Sequence, residues 1–430
     1  MQIVVFVVTF VSSTSCGTYF LKDLGITTQL VHADKQLNPK SDGAVHSPAN
    51  KSVLFEFSDA QGIVDAFQGR LAAHVYARSS SSTTNALQNV LNHFEQGVGA
   101  VTFATGMAAI STCLFSLLKQ GDHIIVSEYL FGNTRSFFKH LQLFGIEVSF
   151  VDVTNVQNVV AAKQDNTLMV FTESLSNPMT QVADMSAIGQ YCQEQRLLYV
   201  IDNTMSPCVI FSAKACHASL VVSSLTKYVS GHGQALGGSV VDTGLFDWTQ
   251  YPNIQSLYQV ANKAQWGLTQ IRKKGLRDLG ATLSADVAST ILVGMETLQL
   301  RYHQACENAR KLALHFANHA GVVNVFYPGL ADHPQHFMAR DLFSHYGAIM
   351  SIELPEGVNI IEFINRLNVV ICATHLGDTR TLALPVAQTI YFEATQDERD
   401  RMGISEQIVR LSIGIEDIHD LVADFEQALG

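Results

Sequence analysis

Lys227 stands in Val221-Val-Ser-Ser-Leu-Thr-Lys-Tyr228, behind two hydroxyl side chains and just after a short apolar run. An amine presented in this way can hold an aldehyde as an imine and then act as a free amine that moves protons. Ser224 and Thr226 can donate hydrogen bonds to phosphate oxygens, and the set suits a Schiff-base lysine for pyridoxal phosphate. An ordinary surface lysine is the plainer reading of the octapeptide alone, and the upstream residues change that balance. Leu197-Leu-Tyr-Val-Ile-Asp-Asn-Thr204 reads as a buried strand ending on an aspartate, the place where open parallel sheets present ligand groups. Asp202 and Lys227 are therefore expected at the ends of neighbouring strands. A carboxylate facing a pyridine nitrogen keeps that ring protonated, and the protonated ring withdraws electrons from a carbanion at a substrate α-carbon. Val101-Thr-Phe-Ala-Thr-Gly-Met-Ala-Ala-Ile110 adds a strand, Thr105-Gly106 and a helix-forming run, the layout of a phosphate resting on a helix N-terminus. Alone this segment is weak; with Asp202 and Lys227 in order it is strong.

The elements around these residues alternate. Asn85 to Gln96 has helical periodicity with Leu87, Leu91 and Phe94 on one face. Up to about residue 245, short apolar runs at 124–126, 148–151, 168–171, 198–201 and 220–222 are separated by helix-length segments. The pattern predicts a mainly parallel sheet with helices on both faces, hence an α/β fold. A long helical stretch follows around Ser284 to Ala320, and the chain closes with a strand at 408–413 and a helix from Ile418. We expect an N-terminal arm (1–79), a large cofactor-binding domain (80–280) and a smaller C-terminal α/β domain (281–430). Ser79-Ser-Ser-Ser-Thr-Thr84 is the one low-complexity piece.

With 430 residues, 47% hydrophobic and 15% charged, the chain can bury a large core. A formal net charge of −11 with scattered basic residues opposes nucleic-acid binding. The seven cysteines have no CxxC or zinc-like spacing, which points to reduced thiols in a cytoplasmic protein. His333-Pro-Gln-His336 could be read as a metal pair, but the proline favours a loop, and no metal is expected. The apolar run from Ile3 to Val11 lacks a preceding basic residue and is too short to span a bilayer. Neither a secretory signal nor a membrane segment is therefore read there.

Seven motifs in order complete the pattern: Tyr76-Ala-Arg78, Phe103-Ala-Thr-Gly-Met-Ala-Ala109, Glu173-Ser-Leu-Ser-Asn-Pro178, Asp202-Asn-Thr204, Ser224-Leu-Thr-Lys227, Tyr327-Pro-Gly329 and Arg410-Leu-Ser-Ile-Gly-Ile-Glu-Asp417. From about Thr27 to the C-terminus the chain resembles the Cys/Met-metabolism (trans-sulfuration) group of fold-type I pyridoxal phosphate enzymes, which includes cystathionine γ-synthase, cystathionine and methionine γ-lyases and O-acylhomoserine sulfhydrylases. The resemblance implies Lys227 as the imine-forming base and Asp202 as the pyridinium partner. It implies Thr204 near the ring, with Ser224, Thr226, Thr105, Gly106 and Met107 at the phosphate. It places Arg410, Asn177 and Thr381 at the substrate, Arg410 and Asn177 on its α-carboxylate. A strand arginine paired to Glu416 or Asp417 is the blander reading of Arg410. Tyr76 and Arg78 are implied to cross a subunit boundary onto the neighbour's cofactor phosphate, in a homotetramer built as a dimer of dimers. The family's Asn-Pro-Thr after this arginine is Ser81-Ser-Thr83 here, which puts that loop's geometry in question.

Three departures bear on the reaction. The family's ring-stacking tyrosine is Phe131, in Phe131-Gly-Asn-Thr134, so stacking survives and a phenolic acid or base does not. Glutamates that meet a second ammonium in cystathionine-handling members are matched by Val75 and Arg380. A cysteine of methionine γ-lyases is matched by Asn133. The expectation is γ-replacement on an O-acylhomoserine with sulfide or a small thiol. The alternatives are γ-elimination by the same machinery and a catalytically inactive binding protein on the same fold. A nicotinamide dehydrogenase is disfavoured, since no Gly-x-Gly-x-x-Gly follows a suitable strand.

Overall fold

The computed structural model describes residues 21–40 and 43–430, so the apolar run at 3–11 and Cys16 lie outside the described residues. Seven strands form the larger sheet: β1 (Gly99–Phe103), β2 (His123–Ser127), β3 (Glu147–Val151), β4 (Thr167–Glu173), β5 (Leu198–Asp202), β6 (Leu220–Ser223) and β7 (Gly238–Asp242). Their spatial order is β1-β7-β6-β5-β4-β2-β3. Pairing is parallel from β3 across to β6, and β7 runs antiparallel to both β6 and β1. The apolar runs in the sequence do not mark β7, a short run beginning on Gly238 that is held between β1 and β6.

The sheet is buried on both faces, and its side chains divide by parity. Leu198 and Val200 of β5 pack with Ile110 and Leu114 of the helix Gly106–Leu117. Tyr199 and Ile201 pack with Ile188 and Cys192 of the helix Met185–Gln195 on the other face. A second sheet of five strands follows: β8 (Asn324–Phe326), β9 (Ile349–Glu353), β10 (Ile371–Cys372), β11 (Leu382–Pro385) and β12 (Ile408–Ser412). Their order is β10-β11-β12-β9-β8, mostly antiparallel. The helices Leu298–Phe316 and Ile418–Leu429 cover it through Phe316 and Phe425, whose rings meet edge to face. The architecture is thus the expected α/β type.

Two local readings change. The polar run at 79–84 is a helix start: Ser81 accepts from the Thr84 N–H while the Thr84 hydroxyl takes the Ser81 N–H, forming a capping box for Ser82–Phe94. The long helical stretch is two helices, Ala285–Glu296 and Leu298–Phe316, meeting at Thr297. Within the expected arm, the helix Ile26–Leu37 is anchored in this chain's own core, where Ala33 packs with Ala86, Leu87 and Ile291. No helix among the described residues is long and apolar enough to cross a membrane.

One buried cation ties the two parts together. Arg301 donates to the Tyr228 carbonyl at 2.9 Å, to the Gly294 carbonyl at 2.6 Å and to the Thr297 hydroxyl at 3.1 Å. The segment after Lys227 is thereby fastened to both long helices. A lysine cannot reproduce a planar fork of donors. Arg301→Lys is therefore expected to lower stability by about 2 kcal/mol, read as an earlier urea midpoint at fixed protein concentration.

Candidate active site

β4, β5 and β6 end in step. Glu173 is register partner of Asp202, and Asp202 of Val222. Parity puts Asp202 on the Leu198 and Val200 side of the sheet, beneath the helix Gly106–Leu117. A cavity of about 420 Å³ opens at these carboxyl ends, where ligands of open α/β sheets bind. Its wall includes Thr105, Gly106, Met107, Phe131, Asn177, Asp202, Thr204, Ser224, Thr226, Lys227 and Arg410, residues brought from six different segments of chain by the two sheets.

The phosphate corner is built by close approach. A Cβ on Gly106 would fall 2.7 Å from the Ser224 Cβ, so only glycine lets the helix start against that serine. Thr105 is the N-cap, its hydroxyl accepting the Ala108 N–H at 3.0 Å. The N–H groups of Gly106 and Met107, in the first turn, have no acceptor within the helix. They and the Ser224 hydroxyl suit an anion there. The Thr226 hydroxyl donates to the Gly237 carbonyl at 3.2 Å and accepts its N–H at 3.0 Å, so it also pins the loop that carries Lys227.

Deeper in the cavity, Asp202 Oδ1 accepts from the Thr204 N–H at 3.0 Å and from its hydroxyl at 2.5 Å. The same hydroxyl accepts the Ser224 N–H at 2.8 Å, which locks the two strand ends together. Burial pushes the Asp202 carboxyl up to about 6, against the Thr204 bonds. No cationic side chain among the described residues pairs with it. A buried carboxylate without a counter-charge fits a ring N–H⁺, and with the anion corner the residues fit pyridoxal phosphate. Glu173 beside it is raised well above the carboxylate range, by burial first and by Asp202 second. Its Oε1 accepts the Phe131 N–H at 2.8 Å and fixes that ring's backbone, while Oε2 is buried with no hydrogen-bond partner among the described residues.

Lys227 is lowered to about 8, by burial and then by the Arg410 guanidinium. Arg410 is 1% exposed and bonds no carboxylate among the described residues, so the pairing with Glu416 or Asp417 is not formed. Its Nη2 donates to the His375 carbonyl at 2.9 Å and to the Thr374 carbonyl at 3.3 Å, and its Nε has no partner among the described residues. Asn177 Oδ1 is likewise buried without a partner on the same wall, and the Asn177–Pro178 peptide is cis.

Three expected residues lie elsewhere. Thr381 is a correction: it is fully buried away from the cavity, its hydroxyl donating to Glu416 Oε2 at 2.8 Å and accepting the Gly414 N–H at 2.9 Å. The loop that reaches the cavity is Thr374-His-Leu376, several residues earlier. Arg380 is held instead by Asp378, at 2.7 Å. Tyr76 and Arg78 line a separate open cavity with Arg272, Lys273 and Arg277, where Arg78 donates to the Arg277 carbonyl at 2.9 Å. His375, near Lys227, was missed: as one of sixteen histidines in a loop without periodicity, it carried no signal. His336 Nδ1 sits 2.8 Å from the Pro328 carbonyl oxygen.

Sheet and cavity together define a pyridoxal phosphate enzyme of fold type I. The family model for Cys/Met metabolism PLP-dependent enzymes matches residues 27–430, and the chain belongs to that family. It is 34% identical to an L-methionine gamma-lyase of Fusobacterium nucleatum subsp. polymorphum over 95% of this chain and 98% of that one. It is 33% identical to an O-acetyl-L-homoserine sulfhydrylase of Corynebacterium glutamicum over 94% of this chain and 96% of that one. Among solved structures, a Campylobacter jejuni protein assigned as an O-acetylhomoserine (thiol)-lyase, bearing pyridoxyl-lysine monophosphate, superposes with a TM-score of 0.89. The identity is 28%, over 94% of this chain and all of that one.

The lowered Lys227 amine has a direct consequence. In cofactor-stripped protein, covalent uptake of pyridoxal phosphate, followed by absorbance, is expected to accelerate as pH rises from 7 to 9 and level off above 9, because the reactive neutral amine forms around pH 8. Lys227→Ala is expected to abolish the change.

Proposed function

We propose that the protein replaces the acyloxy group of an O-acylhomoserine with sulfide or a small thiol, giving homocysteine or a related thioether amino acid. Pyridoxal phosphate supplies the electron sink for a carbanion at the substrate α-carbon. Asp202 keeps the ring nitrogen protonated, and Phe131 covers the ring face. Ser224, Thr226, Thr105, Gly106 and Met107 hold the phosphate, and Thr204 aligns Asp202 beside the ring. Arg410, whose buried Nε has no partner among the described residues, and Asn177, donating from its side-chain NH2, take the α-carboxylate. Lys227 removes the α-proton and carries a proton at the β-carbon. With its amine near 8, about a tenth is uncharged at pH 7, so the same group serves as base and as acid.

Phe131 carries the choice of leaving group. A departing thiolate is strongly basic and gains from a positioned acid, whereas a carboxylate departs as a stable anion without one. The cavity wall offers a phenyl ring where the family resemblance expects a phenol, and it also includes Leu236, Asn133 and Ile390. Neither carboxylate of the wall is open to a second ammonium: Asp202 serves the ring, and Glu173 holds the Phe131 N–H. This lining suits an uncharged or anionic distal group.

γ-Elimination is the second reading, supported by the likeness to methionine gamma-lyases at the same level of identity as the sulfhydrylase. Product analysis on holoprotein with O-acetyl- and O-succinylhomoserine, with and without sulfide, separates the two. Homocysteine appearing only with sulfide is expected. 2-Oxobutyrate and ammonia released regardless of sulfide would establish the lyase instead.

Tyr76 and Arg78 extend this reading to assembly, because they face away from the Lys227 cavity of their own chain. They reach a neighbour's cofactor phosphate in a dimer, two of which form a tetramer. Mixing Arg78→Ala and Lys227→Ala subunits after dissociation is expected to regain about a quarter of the wild-type sites, those where both native residues meet in a hybrid dimer. Unchanged inactivity of the mixture would place each site within one chain. The six described cysteines are all free thiols, which supports a cytoplasmic setting.

A further inference from the structure

His375 is the one ionisable side chain on the cavity wall to which none of the roles above applies. Its Nδ1 lies 3.4 Å from Lys227 Nζ, and its Nε2 is buried without a partner among the described residues. The backbone that carries it is anchored on both sides. Arg410 Nη2 binds the His375 carbonyl, and the Gly377 N–H donates to the Ser412 hydroxyl at 2.9 Å. Gly377 has φ +75°, and a Cβ there would fall 2.6 Å from the Tyr228 backbone nitrogen. The loop is thus pressed against the Lys227–Tyr228 peptide in a conformation that glycine alone adopts without strain. Leu376, between them, is buried in the core with Tyr228 and Tyr302. An imidazole on so rigid a mount has little freedom to leave the lysine.

The charges around it set its state. Lys227 and Arg410 are both cations near the ring, and Asp378 is occupied by Arg380. Burial and these cations hold the imidazole down to about 4, so it is neutral at physiological pH. A neutral ring beside an amine that carries all its hydrogens as donors accepts at Nδ1 and keeps its own proton on Nε2.

We propose that His375 is a positioning residue for the catalytic amine: its Nδ1 accepts a hydrogen bond from Lys227 Nζ whenever that amine is free, and aims it at the substrate α-carbon. A lysine stem has four rotatable carbons, and in a cavity of this size the amine has several places to sit. An acceptor fixed from β12 selects one of them. Because Arg410 holds the same loop by its carbonyls, the carboxylate-binding guanidinium and the base are set relative to each other through a single residue. Small displacements of a base cost rate steeply, on the order of a hundredfold for about 1 Å.

This inference rests on the pyridoxal phosphate reading but not on γ-replacement, and the test keeps the two apart. L-norleucine, which has no leaving group, is incubated in D₂O with wild-type, His375→Ala and His375→Asn holoproteins, and loss of the α-hydrogen signal is followed by NMR. Asparagine places an acceptor where Nδ1 stands; alanine places none. The expected result is a maximal exchange rate lowered about 10- to 100-fold in His375→Ala, with unchanged half-saturation and normal cofactor absorbance. His375→Asn is expected to stay within about fivefold of wild type. Covalent uptake of pyridoxal phosphate by the stripped proteins is expected to slow in the same order, a reading independent of turnover. If His375→Ala does not retain cofactor, His375→Gln replaces it, its acceptor displaced by one bond, with the same expected loss. Wild-type exchange in the alanine or glutamine variant, equal losses in the asparagine and alanine variants, or a loss confined to half-saturation would overturn the proposal.

Discussion

Desolvation of a few charges at the ends of β4, β5 and β6 is the constraint on which the rest of the structure depends. Asp202, Glu173, Lys227 and Arg410 are held in or against a cavity that water does not fully solvate, and burial is the leading cause of every shift among them. An uncompensated buried charge is costly. The site tolerates it because the sheet supplies fixed donors, Thr204 to Asp202 and the Phe131 N–H to Glu173, and because a charged cofactor and a charged substrate complete the set. The same desolvation makes Lys227 useful, since it brings the amine into the range where it can both take and return a proton.

Rigidity around the lysine comes from cross-links of backbone carbonyls and not from the cavity itself. Arg301 fastens Tyr228 to two long helices, and the Thr226 hydroxyl closes on Gly237. From the other sheet, Gly377 presses on the Lys227–Tyr228 peptide. Two sheets built by separate stretches of chain therefore share one catalytic segment. The smaller sheet contributes more than the buried Arg410: its loop brings an imidazole to the amine.

Within a family that runs elimination and replacement on one scaffold, the difference must lie in small changes of acid–base equipment. In the proposed replacement reading, Phe131 offers no proton donor to the leaving group, and among the described residues the cavity lining holds no carboxylate beyond Asp202 and Glu173. These features act on the barrier to departure of a thiolate more than on that of a carboxylate, which is why a sulfhydrylase reading is preferred over the equally similar lyases.

Much of this was legible in the linear chain because it depends on local periodicity and short-range order. Alternating strand and helix patterns show where β2 to β6 lie, and the aspartate and lysine that follow two of those strands must emerge at one edge of a parallel sheet. Thr105-Gly106 marks a helix start for the same local reason. Residues whose placement depends on long-range packing were not legible. Thr381 is expected at the substrate by motif position, yet its hydroxyl bonds Glu416 just before β11, and the loop at 374–376 is what lines the cavity. The Ser/Thr run before Asn85 reads as low-complexity sequence and is a helix cap, a distinction made by one backbone turn. His375 became meaningful only once β12 held its loop against Lys227. The sequence by itself determined which residues could do the chemistry and in what order the elements run, since both are written in residue type and spacing. Only the tertiary structure decided which side chains share the cavity and what charge each carries, because burial and hydrogen-bond geometry arise between segments far apart in the chain.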